Sequence, residues 1–190
     1  VLKKNISRMA TTKWTLDNTH SELGFKIRHL MISNVSGYFK NFQVEAETQG
    51  DDFTTAQVRL KADMNSISTN NEQRDAHLRN ADFFETDKYP RLEFVSTSIE
   101  KKDASHFVLH GNLTMKGVTK PVSLLVEHSG VTKDPWGNYR AGFSVTGKLN
   151  RSEWGISMNT ILETGNLALG EEVKIYSEIE LVKETVPVAV

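Results

Sequence analysis

The chain has 190 residues, 38% hydrophobic and 25% charged, with four prolines, a composition that builds one buried core rather than a disordered chain. Its 23 basic residues face 24 acidic ones for a net charge of -1, which leaves no electrostatic footprint for a phosphate backbone, so nucleic acid is not an expected partner. Cysteine is absent, which excludes disulfides, thiolate metal sites and cysteine nucleophiles, and no apolar run approaches the roughly 20 residues of a membrane span, so an integral membrane protein is not expected.

The N-terminus, VLKKNISRMATTKW, starts basic but lacks the apolar stretch of about 7–15 residues that a secretory signal needs. Met9 reads as a natural start, and the expected location is cytoplasmic as the chain stands, or periplasmic if a signal was removed ahead of Val1. Alternation of apolar and polar residues then dominates. Leu23, Phe25 and Ile27 share one face against Glu22, Lys26 and Arg28, the pattern of a strand with one wet side. From Val35 to Ala46 the apolar phase passes through Gly37 and Phe39 and slips at Lys40 and Asn41 before resuming at Phe42, so a bulge is expected there. Val58, Leu60, Ala62 and Met64 oppose Gln57, Arg59, Lys61 and Asp63.

The segment NNEQRDAHLRNADFFETDKYP breaks the pattern. Thr69 and Glu72 have capping-box spacing, Asp75 and Arg79 stand at i,i+4, and Asn80 is a stop, which predicts a helix of about three turns over 70–81. Its few apolar groups, with Leu78 and the following Phe83 and Phe84 as anchors, suit it to rest on the mouth or flank of a sheet. Leu92 to Ile99, including Phe94, is apolar on both sides. Clear alternation returns at Phe107, Leu109, Gly111 and Leu113, at Val122, Leu124 and Val126, at Ala141, Phe143, Val145, Gly147 and Leu149, and at Val173, Ile175, Ser177 and Ile179. About eight such strands suit a sandwich or a closed antiparallel barrel, and the helices that a parallel sheet requires are missing. Between the last two strands, Trp154, Ile156, Met158, Ile161, Leu162, Leu167 and Leu169 lie in a stretch without strand regularity. They are expected to cover a barrel end, a ligand or a second subunit.

No catalytic constellation emerges. The histidines at 20, 29, 77, 106, 110 and 128 have no metal-ligand spacing, and His106 and His110 on one strand face stand about 13 Å apart. Neighbouring helix positions point in different directions, so Asp75 and His77 are not expected to face each other. His20 and Ser21 lie on opposite strand faces, and no nucleophile elbow or phosphate-cradling glycine loop is present. The aromatic groups of GYFKNF continue the apolar face across the expected bulge and read as core rather than as a stacking platform.

DNTHSELGFKIRHL, VSGYFKNF, SISTNNEQRDAHLRNADFF, YPRLEFVST, GNLTMKGVTKPV, RSEWGI and LGEEVKI, in this order from about Trp14 to Lys183, resemble the successive signatures of the YceI-like, polyisoprenoid-binding proteins. The resemblance implies an all-β, about eight-stranded antiparallel, extended lipocalin-like barrel with the one inserted helix, over residues 14–183 between an N-terminal extension, 1–13, and a tail, 184–190. It implies an apolar interior that binds, stores or transports a long isoprenoid or related lipid without cofactor or catalysis, often in a homodimer. Strand phase places Phe25, Leu60, Met64, Leu109, Phe143, Val145 and Ile175 inside. With Ile27, Phe39, Phe42, Leu78, Phe83, Phe94, Leu113 and Trp154 they form the expected ligand-contacting set. The polar signature residues Asp17, His20, Ser21, Arg74, Asp75, His77 and Arg151 are read as mainly structural. The rival reading makes Arg74, Asp75, His77 and His20 converge at the barrel mouth as an enzyme acting on a lipid headgroup.

Overall fold

Strands that are apolar on one side and charged on the other bury the apolar side most completely by closing on themselves, and the chain does so. The computed structural model describes residues 10–165 and 168–185; most of the expected N-terminal extension and tail, and Leu167, fall outside them. Among the described residues eleven strand segments form: β1 (Thr11–Leu16), β2 (Glu22–His29), β3 (Ser33–Phe39), β4 (Phe42–Gln49), β5 (Asp52–Asp63), β6 (Ile67–Ser68), β7 (Arg91–Lys101), β8 (His106–Met115), β9 (Val118–Lys133), β10 (Tyr139–Asn150) and β11 (Leu169–Lys183), with one α-helix, α1 (Glu72–Arg79), between β6 and β7. The order β1-β4-β5-β7-β8-β9-β10-β11 closes through pairing of β1 with β11, an eight-stranded antiparallel barrel. The outward faces of β4 and β5 carry Gln43, Glu45, Glu47, Arg59 and Lys61, all exposed, the reverse of the apolar outer band of a membrane barrel. Among the described residues no helix is long and apolar enough to cross a membrane.

Two strands are broken in mid-wall. β11 pairs with β2 over Leu169–Glu178 and with β1 over Leu181–Lys183, so β1 and β2 are two halves of one wall, separated by the one-turn 3-10 helix Asn18–His20. The expected bulge at Lys40 and Asn41 is instead a corner. β3 ends at Phe39 and β4 starts at Phe42 with a new neighbour, β1 in place of β2, because the freed amides of Lys40 and Asn41 donate to the Ser66 carbonyl (3.1 Å) and hydroxyl (3.0 Å). A true bulge lies where the pattern was ambiguous: the β7–β8 register shifts between Ser96 and Ser98. The extra residue moves the inward phase from Leu92 and Phe94 to Ile99, which explains apolar residues of both parities. Gly111 opposite is required by close approach, since a Cβ there would stand 2.3 Å from Phe94 Cζ and 2.6 Å from the Val95 carbonyl oxygen.

α1 is shorter than expected. It begins at Glu72 behind an Asn71 cap whose side chain accepts from the Arg74 amide (2.9 Å). Thr69 is not the cap because its amide and hydroxyl both donate to Asp75 Oδ1, at 2.8 and 2.5 Å. That buried carboxylate is thereby committed, so the i,i+4 pair with Arg79 does not form. Asn80 ends the helix as expected, its amide donating to the His77 carbonyl.

The two poles of the barrel differ. At the pole where β10 begins and β11 ends, Phe53 packs against Trp14 (centroids 4.9 Å), His128 (5.0 Å) and Phe143 (5.0 Å), an aromatic plug. Near it the seam is tied by Arg140, which donates to Asp134 (2.7 Å), Glu180 (2.7 Å) and Asp17. Asp17 also accepts from Thr19 and His20. Arg140, with backbone amides of the turn, holds Asp134 down to about 2. Asp17 is lowered as well, by the Thr19 hydroxyl first and then His20 and Arg140, while the bond to Asp17 raises His20. For the carboxylates, whose folded values lie below the unfolded ones, the stabilisation is complete above the ordinary value of 3.8 and is lost as pH falls toward the folded value. His20 contributes with the opposite sign, fully below its ordinary value and lost as pH rises through its raised one. Melting temperature measured down an acid series should therefore fall below about pH 4, with a shallower decline for Asp134→Asn. An identical decline in the variant would show that this clamp carries no linkage.

Candidate functional site

Inside the wall lies a cavity of about 540 Å³, within the ~300–1,000 Å³ of small-molecule sites. Its lining follows strand phase: Leu23, Phe25 and Ile27 from β2, Val58 and Leu60 from β5, Leu109 and Leu113 from β8, Phe143 and Val145 from β10, Ile175 and Ile179 from β11. Along β11 the lining starts at Leu169 and, past a register irregularity, takes every second residue from Val173 to Leu181, the regular part being about 26 Å of strand. Ser177 is the polar exception on that face, and its buried hydroxyl has no hydrogen-bond partner among the described residues.

The other polar lining groups, His29, Thr69, Arg74, His77, Arg151, Asn159 and Thr160, come from α1 and its flank, the end of β2, and the segment between β10 and β11. These elements gather at the pole opposite the aromatic plug, so the cavity is apolar through its depth and polar at one end. Most of the polar groups are committed to holding that end together. Arg74 donates through Nε to the Thr69 hydroxyl (2.7 Å) and through Nη2 to the Thr69 carbonyl (2.8 Å). Arg151, buried, donates to the carbonyls of Gly170 (2.9 Å), Ile156 (2.8 Å) and Met158 (3.0 Å), fastening the segment that follows it. His77 shares a hydrogen bond with Asp82 (2.9 Å) and stands edge-on to Phe83.

Of the expected ligand-contacting residues, Phe25, Ile27, Phe39, Leu60, Leu78, Phe83, Phe94, Leu109, Leu113, Phe143, Val145 and Ile175 line the cavity. Phe42, Met64 and Trp154 do not. They belong to a packed layer at the mouth pole, where Trp154 Nε1 donates to the Leu113 carbonyl (3.1 Å) and Met64 is 1% exposed; strand phase gives a side chain's direction but not the depth at which the interior becomes solid. Sequence reasoning missed Phe53, Ile99 and Phe107, which also line the cavity. Ile99 is out of phase because of the bulge, and Phe53 follows a register irregularity between β4 and β5. Phe107 shares the inward phase of Leu109 and Leu113 on β8.

The constellation needed for headgroup chemistry does not assemble. Asp75 bonds Thr69 and His77 bonds Asp82, while His20 lies with Asp17, outside the cavity lining. Donor atoms of Asp17, His20 and Glu180 lie within 4.8 Å of one another, but Arg140 donates to both carboxylates, so its charge already fills the place a cation would take. Phe83 and Phe84 both line the cavity and pack on the core. Replacing both by Ala should cost about 3 kcal/mol, less than two fully buried aromatics would, and speed ligand escape. His77→Ala should leave the identity of extracted ligand unchanged. Loss of ligand on His77→Ala alone, read by mass spectrometry, would make that histidine a recognition group.

A YceI-like domain model matches residues 14–181. The chain belongs to the YceI-like family. A UPF0312 protein of Staphylococcus aureus (strain USA300) is 41% identical over 170 residues, covering 89% of this chain and 96% of that one. The Campylobacter jejuni YceI crystal structure is 34% identical with a TM-score of 0.72, covering 90% of this chain and 98% of that chain. A polyisoprenoid-binding domain from Saccharophagus degradans shares the fold at 16% identity and a TM-score of 0.62, over 91% and 98% of the two chains. In this YceI-like barrel the polar residues of the motifs quoted above make fixing contacts: Arg74 and Asp75 on Thr69, Ser21 on the Glu180 amide (2.9 Å), and Arg151 on three carbonyls.

Proposed function

We propose that this YceI-like barrel is a non-catalytic carrier or reservoir for one long-chain isoprenoid or related lipidic amphiphile. The observation that carries the reading is the cavity itself, lined by hydrocarbon through its depth and by polar groups at one end. An amphiphile with its chain inward and its head at α1 matches that polarity. Ten buried methylene equivalents contribute roughly 8 kcal/mol before association costs, so affinity does not require many polar contacts. The polyisoprenoid-binding description of the Saccharophagus fold neighbour names the same ligand class. Homodimer formation, which the family resemblance implies, is part of this reading and is checked by sedimentation.

A chain-length series tests it. Titrating lipid-free protein with prenyl or fatty amphiphiles of increasing length should tighten binding about fourfold per added methylene, since each is worth about 0.8 kcal/mol, until the cavity is full and the gain stops. Affinity independent of length would reject an interior site. For the enzyme reading, a bound amphiphile that is chemically unchanged after prolonged incubation removes the reason to keep it.

A further inference from the structure

The hairpin joining β2 and β3 is built against local preference. Leu30 and Met31 both adopt left-handed backbone, φ 50° and 63°, where Asn and Gly are the favoured residues. Ile32 follows and closes the turn through its amide to the His29 carbonyl (3.2 Å). The three side chains are 39, 52 and 79% exposed. Left-handed non-glycine backbone that holds apolar groups in water is the kind of local strain that clusters at ligand and interaction sites.

The tip is continuous with the cavity mouth. Leu30 donates its amide to the Ala168 carbonyl (2.8 Å) and Ala168 donates to Thr160 (2.9 Å), so the hairpin lies beside the segment carrying Met158 and Ile161, themselves 37 and 74% exposed. Behind this rim, Lys26, Lys174 and Lys148 stand in register across β2, β11 and β10, all exposed. Glu172 pairs with Lys148 (3.7 Å) and Glu171 with Arg151 (3.5 Å). Lys26, Lys174 and Arg28 have no carboxylate at ion-pair distance among the described residues; the Lys26 ammonium lies over the Tyr176 ring (4.9 Å) and Arg28 donates to the Met31 carbonyl (3.1 Å) at the tip, while Glu163, with Glu72 and Asp82 beside α1, adds exposed acidic groups at this pole.

We propose that this rim docks on a membrane surface carrying anionic headgroups, the Leu30–Met31–Ile32 tip entering the interface while Lys26, Lys174 and Arg28 face the phosphates. Apolar tip and cationic belt are the two components of interfacial binding. A second copy of the chain is the weaker fit, because five side chains on a protruding end fall far short of the 20–30 residues a side of a stable interface. The inference rests on the carrier reading for its purpose, since a lipid would pass between bilayer and cavity at the same pole.

The test is flotation of solvent-extracted, lipid-free protein with vesicles of phosphatidylcholine, with and without phosphatidylglycerol. The variant Leu30→Asn/Met31→Gly/Ile32→Ser removes the apolar tip while giving the turn residues it prefers, so its melting temperature should be unchanged or higher. The wild type should partition to the anionic vesicles about tenfold or more above this variant, and Lys26→Glu/Lys174→Glu should abolish the preference for anionic over neutral vesicles. Trp136→Ser is the control: Trp136 is 81% exposed at the plugged pole, reached where β11 ends rather than where it begins. Equal partition of wild type and tip variant, or no partition of either, overturns the proposal. So does loss of binding on Trp136→Ser, or a tip variant that changes only the sedimentation of a wild-type dimer. Because the protein is lipid-free, docking without any lipid uptake would overturn the carrier reading and leave the docking surface standing.

Discussion

Leu60→Asp is expected to be far more damaging than Lys61→Asp, although the two substitutions are neighbours and create the same side chain. Leu60 lines the cavity and pairs across the wall with Val44 and Phe94, both buried, whereas Lys61 is exposed on the outer face. A carboxylate at 60 must be ionised in an apolar interior or stay protonated at a cost, and it also removes packing; together these should lower stability by about 4 kcal/mol or more. Lys61→Asp should stay within about 0.5 kcal/mol. Denaturant midpoints of the two variants check this. Equal, mild effects would place the inward register of β5 one residue off.

Arg151→Ala is expected to be the most costly change outside the apolar core. One guanidinium serves the carbonyls of Gly170, Ile156 and Met158, at 4% exposure. Removing it leaves the buried Ile156 carbonyl and two part-buried ones without their donor and empties a buried site, a loss of about 3 kcal/mol or more. Arg151→Lys should recover only part of this, because an ammonium lacks the planar fork that reaches three acceptors at once. Desolvation lowers the Arg151 pKa, yet a guanidinium stays charged at any pH at which the fold is studied. Hydrogen exchange should localise the damage to the amides of 156–165 and 168–170, and full rescue by Lys would show that charge, not geometry, fastens the segment.

The barrel was legible because its strands alternate cleanly. The pairs Ile27 with Val173 and Phe25 with Ile175 face inward together, as period-2 patterning requires. Irregularity hid the rest. Nothing in Phe39-Lys40-Asn41-Phe42 distinguishes a bulge from a corner, since the deciding acceptors belong to Ser66, 25 residues away from Asn41. The capping box at Thr69 and Glu72 was a valid local pattern that lost to a tertiary one: Asp75 took the Thr69 amide and hydroxyl, and Asn71 became the cap. The cavity's walls could be read from phase but not its extent, because Trp154 and Met64 look like any lining residue until the packed layer around them is seen. The aromatic plug needs His128 stacked on Phe143 (4.7 Å) and Phe53 turned inward at a β4–β5 irregularity, neither of which has a local signature.

A carrier must hold a long apolar chain inside the barrel. Native mass spectrometry of the purified protein, before and after organic extraction and with lipid analysis of the extract, measures that most directly. The expected result is one long-chain lipid per barrel, lost on extraction and regained when a polyprenyl or fatty amphiphile is supplied. A barrel that is consistently empty and takes up neither class of amphiphile would contradict it.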